Sequence, residues 1–118
     1  MKNTLAATLV AASALTVTAV QAATPEVEAL LQAAQKEGAV YSVGMPNTWA
    51  NWVKTWSDLQ TKYKIKTQDT DMASAEQISK FMAEGENATS DIGDVGFEFG
   101  EIAKKSGITM QYKTSNWD

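Results

Sequence analysis

The feature that most constrains this chain is an alternation of two hydrophobic periods, punctuated by glycine. Thr24-Pro25-Glu26 opens a helix, with a hydroxyl able to cap, a Pro at the first helical position and an acid for the dipole. Val27, Leu30, Leu31 and Ala34 keep helical spacing until Gly38 stops it. Ala39 to Val43 predicts a short strand buried on both faces. Asn47 or Thr48 then caps a helix whose Trp49, Trp52, Val53, Trp56, Leu59 and Tyr63 share one face. Lys64 to Thr70 reads as a second strand, polar enough to lie near an edge. Ser74-Ala75-Glu76-Gln77 fits a capping box, Ser74 bonding forward and Gln77 reaching back, ahead of an Ile78, Phe81, Met82 stripe ended by Gly85. Asp91 to Phe97 predicts a third strand. Phe99, Ile102 and Ala103 mark a short helix closed by Lys104, Lys105 and Gly107, and Ile108 to Tyr112 a fourth strand. This alternation specifies an α/β fold, a mainly parallel sheet with flanking helices and right-handed crossovers.

The first 22 residues stand outside that pattern. Lys2 gives a short positive start, Leu5 to Val20 is a weakly apolar run, and Val20-Gln21-Ala22 places small residues where a signal peptidase reads them. Residues 1–22 are therefore predicted to be a secretory signal peptide cut after Ala22. A membrane anchor needs about 20 strongly apolar residues, and this run is shorter and diluted by Thr and Ser. No Cys follows to carry an N-terminal lipid, so the expected product is an exported protein with no direct membrane insertion after cleavage.

Composition removes several classes of function. The chain of 118 residues has no Cys and no His. Disulfides, thiolate chemistry, Ser-His or Cys-His nucleophile pairs and imidazole zinc sites are all excluded. No Walker loop and no GxGxxG occurs. Without Lys2, nine Lys face fourteen acids, a net charge of -5, which argues against nucleic acid or anionic lipid as a partner. No catalytic residue, no cofactor and no metal site is assigned.

In open parallel sheets, ligands sit beyond the carboxyl ends of the strands. Three loops qualify: Gly44 to Thr48, Asp71 to Ala75, and Gly96-Phe97-Glu98. Each precedes a predicted helix N-terminus, which suits an anion. Asp71, Asp94 and Glu98 suit an amine or a hard cation instead, and the residues alone leave both open. Trp49 divides between ligand stacking and packing, whereas Trp52 and Trp56 read as core. Asp69-Thr70-Asp71 reads as a solvated strand end ahead of a metal loop. Asn87-Ala88-Thr89 matches a glycosylation sequon and marks an exposed loop at most.

Three stretches carry a resemblance: "EALLQAAQKEGAVYSVG", "WVKTWSDLQTKYKIKTQDTDMASAEQISKFMAEG" and "SDIGDVGFEFGEIAKKSGI". In this order the chain resembles the start of extracellular solute-binding proteins of ATP-binding-cassette importers, those of the iron(III), polyamine and phosphonate type. The resemblance implies two α/β lobes that close on a ligand, a periplasmic location, and a membrane permease as partner. It implies a small-molecule or ion ligand held in this lobe by Met45, Asn47, Thr48, Trp49, Ala73, Ser74, Ala75, Gly96, Phe97 and Glu98. Such proteins are several times longer, so residues 23–118 are expected to be the N-terminal portion of lobe 1. The second lobe is absent, the chain is read as a fragment, and its own stability and ligand binding are expected to be weak. The alternatives are a small secreted interaction module and a carboxylate-based secreted enzyme.

Overall fold

The computed structural model describes residues 24–114 and Trp117, so the signal-peptide reading of residues 1–22 lies outside the described residues. Helix α1 (Pro25–Glu37) starts at Thr24, whose Oγ1 accepts from the Val27 N–H, and ends at Gly38 in the left-handed region, φ 85°. Strand β1 follows (Ala39–Val43), then α2 (Trp52–Thr61), β2 (Lys66–Thr70), α3 (Ser74–Glu84), β3 (Ile92–Gly93) and α4 (Gly100–Lys105). The sheet is parallel throughout, in the order β2-β1-β3. Ala39 pairs with Lys66 and Val43 with Thr70, while Ser42 and Val43 pair with Ile92 and Gly93. The protein is therefore an α/β fold with a three-stranded parallel sheet and flanking helices, and β2 occupies an edge as its polar sequence predicts.

Several boundaries differ from the sequence reading, each for a local reason. Helix α2 begins at Trp52 and not at Asn47 or Thr48, because Ala50 (φ 44°) and Asn51 (φ 60°) are left-handed and cannot belong to a right-handed helix. Trp49 is thereby left outside the helix. Its N–H donates to the Pro46 carbonyl, and its own carbonyl accepts from Trp52, so consecutive turns carry the chain forward. Strand β2 starts at Lys66 and not Lys64, which is itself left-handed at φ 61°. Strand β3 is two residues long where seven were expected, and Phe97–Phe99 forms a 3-10 turn. Among the described residues Ile108 to Tyr112 joins no ladder, so the predicted fourth strand is not seen.

The core lies toward the carboxyl end of the sheet. Ser42 and Val43 are buried while Tyr41 is exposed, so β1 is not covered along its whole length. Val43, Met45, Trp56, Ile65, Ile78 and Ala103 form the apolar centre. Truncating a buried Trp such as Trp56 costs about 3–5 kcal/mol. Trp56 is also anchored by its indole N–H, which donates to the Met45 carbonyl at 2.8 Å. Around it the α2 stripe is only partly covered: Val53 and Tyr63 are exposed, as are Leu30 on α1, Met82 on α3 and Ile102 on α4. Among the described residues no helix is long and apolar enough to cross a membrane.

Candidate functional site

A cleft of about 700 Å³ opens where the three strands end. Its first wall is the turn after β1, through Gly44, Pro46, Thr48, Trp49 and Ala50. The second is the β2–α3 loop, from Asp71 to Ser74, and the third is Asp94, Val95 and Gly96 after β3. Gln77 of α3 forms the floor.

Asp69 builds the first wall. Its Oδ1 accepts from the Ser42 hydroxyl at 2.6 Å and from the Met45 N–H at 3.0 Å, fastening the β2 end to the start of the turn. A carboxylate receiving two donors at a partly buried position is a strong local tie. It is a structural carboxylate, and among the described residues no group of three potential ligands gathers for a metal. Gly44 continues the turn at φ 68°, its N–H donating to the Thr70 carbonyl.

At the second wall the cap of α3 departs from the predicted box. The N-cap is Ala73, whose N–H donates to Glu76 Oε2 at 3.0 Å, so Glu76 and not Gln77 reaches back. Ser74 is the first helical residue, and its hydroxyl accepts from the Gly96 N–H at 3.0 Å, linking the second wall to the third. Asp94 fixes the third wall by three contacts: its N–H donates to Val43, its carbonyl accepts from Gln77 Nε2, and its Oδ2 accepts from the Trp52 indole at 3.3 Å.

The cleft thus gathers Thr48, Trp49, Ala73, Ser74 and Gly96 from the sequence-predicted set. Met45 is not a wall residue: its side chain is 2 % exposed and packs in the core, supporting the turn from beneath. Asn47 faces a neighbouring cavity of about 490 Å³ shared by Trp56, Gln60, Thr67 and Asp69. Ala75 lies on the solvent side of α3, Phe97 is wholly exposed, and Glu98 is exposed outside the cleft. Asp71 and Asp94 converge on it, and Glu98 does not join them. Sequence reasoning missed Gln77, which it used as a capping arm. The available signal was its position beside Ile78 and four residues before Phe81, on the apolar face of α3.

Among the described residues, two carboxylate residues and no Lys line this space. The N-terminus of α3 opens onto it through Ala73 and Ser74, with a partial charge of about +0.5. Two full negative charges outweigh that dipole, so the lining favours a cation. Trp49, 61 % exposed, lines the same cleft, and an indole face can attract an ammonium group. No protein-family model matches the chain, and no curated protein matches it.

Proposed function

We propose that this chain forms part of one lobe of the substrate-binding component of an ATP-binding-cassette importer, a non-enzymatic receptor that captures a small solute in the periplasm. The observation that carries this reading is the convergence of three post-strand loops on one open cleft, with an exposed indole on its rim and a buried polar floor. Among iron(III), polyamine and phosphonate solutes, a protonated amine fits best. Asp71 and Asp94 would receive its charge and Trp49 would stack against it, whereas a phosphonate would meet two carboxylates. In this reading a second lobe closes over the ligand and a membrane permease receives it.

Titration calorimetry on the exported polypeptide that carries this sequence tests the proposal, with 1,4-diaminobutane, methylphosphonate and ferric citrate as probes. The expected result is saturable binding of the diamine with no chemical change. Trp49→Ala should weaken it by roughly tenfold while leaving the melting temperature in place, since the ring is exposed. Binding of none of the three probes, or conversion of the diamine into product, would overturn the reading.

A further inference from the structure

Gln77 is a buried polar residue that packing alone does not account for. It is 2 % exposed, and its Nε2 donates to two backbone carbonyls, Met72 at 2.9 Å and Asp94 at 2.8 Å. Those carbonyls belong to the second and third walls of the cleft and adjoin or belong to its two carboxylate residues, Asp71 and Asp94. The first wall is involved too. A β-carbon on Gly44 would lie 1.9 Å from Gln77 Nε2, and one on Gly93 would lie 2.5 Å from Oε1. Gly93 pairs with Val43, the residue before Gly44, so the amide lies across the ends of two adjacent strands and glycine makes its room on both.

Among the described residues Gln77 Oε1 has no hydrogen-bond partner. A buried acceptor left unpaired is a cost that an apolar side chain of similar length would avoid. Its presence is accounted for by the two donors at the other end of the same amide. We propose that Gln77 is a positioning residue: its amide sets the spacing of the loops that carry Asp71 and Asp94, and thereby the affinity of the cleft for a cation. The effect on affinity rests on the solute-binding reading above; the effect on loop spacing stands without it.

The test uses Gln77→Met, which keeps length and loses both donors, and Gln77→Glu, both in the exported polypeptide. Hydrogen exchange needs no ligand. The N–H groups of Gly44, Asp94 and Gly96, bonded to Thr70, Val43 and Ser74, should exchange roughly tenfold faster in Gln77→Met, while those within β1 keep their protection. Affinity for 1,4-diaminobutane should fall about tenfold in both variants at about pH 7. In Gln77→Glu the deficit relative to wild type should shrink as pH falls toward about 5, because the buried carboxyl takes up a proton and donates again. Loop exchange and affinity within about twofold of wild type in either folded variant would overturn the proposal, as would uniform acceleration throughout β1. If the wild type binds no probe, the solute-binding reading fails, and selective loop exchange still decides whether Gln77 sets the spacing.

Discussion

Gly44→Ala should destabilise the protein by about 3 kcal/mol, and Gly38→Ala by only about 1 kcal/mol. Both glycines are left-handed, at φ 68° and 85°, so each substitution carries the same backbone penalty of about 1 kcal/mol. Among the described residues a methyl group at Gly38 meets nothing within 4 Å. At Gly44 it would lie 1.9 Å from Gln77 Nε2 and 2.8 Å from the Met72 carbonyl oxygen. The amide must then swing away and give up its bonds to Met72 and Asp94, each contributing about 1 kcal/mol. For a domain of this size the sum corresponds to a fall in melting temperature of roughly 12–24 °C. Urea and thermal melts followed by circular dichroism and tryptophan fluorescence measure the difference. In a Gln77→Ala background the side-chain obstacle is gone and the Met72 carbonyl contact remains, so Gly44→Ala should cost about 2 kcal/mol less than it does with Gln77 in place. Equal costs at Gly38 and Gly44, or strict additivity in the double variant, would refute the reasoning.

Two further expectations concern polar contacts. Asp69→Ala leaves the buried Ser42 hydroxyl and the Met45 N–H without their acceptor and should cost about 2–4 kcal/mol in chemical denaturation, with Asp69→Asn in between. The Lys80 ammonium, followed by the Thr89 N–H, holds the Glu84 carboxyl below its ordinary value of 4.5. Its folded value is the lower one, so this stabilisation is complete above about pH 4.5 and is lost as pH falls through the folded value. Glu84→Gln should flatten that part of an acid melting series.

The order of helices and strands was legible because glycine and hydrophobic period mark it locally. Thr24, Gly38 and Gly85 lie where the sequence places the ends of α1 and α3, and the span of β1 is the predicted one. The failures occur where local pattern and long-range contact compete. Trp49 fits the stripe of α2, yet Ala50 and Asn51 turn left-handed ahead of it and place its ring on the cleft rim. Ser74 has the chemistry of a cap, but its hydroxyl is taken by Gly96, 22 residues away, a partner no sequence window contains. Met45 reads as a loop residue, and only the Asp69 and Trp56 contacts show that it is a support. Ile108 to Tyr112 has strand propensity without a neighbouring ladder, because β3 pairs over two residues only. The cleft's location followed from topology, whereas its floor depended on a glutamine whose partners are distant carbonyls.

The indoles of Trp52 and Trp56 stack with centroids 5.7 Å apart and planes 24° from parallel. Transition dipoles at that separation couple, so the pair should produce an exciton signal in the ultraviolet circular dichroism whose sign and size depend on ring geometry. Trp56 is fastened to the turn after β1 through Met45, and Trp52 to the loop after β3 through Asp94. Both rings sit one turn apart on α2, and each indole N–H is bonded to a different loop, so losing either bond frees one ring to tilt and alters the coupling. The signal is an intrinsic optical reporter of the two bonds that tie α2 to those loops.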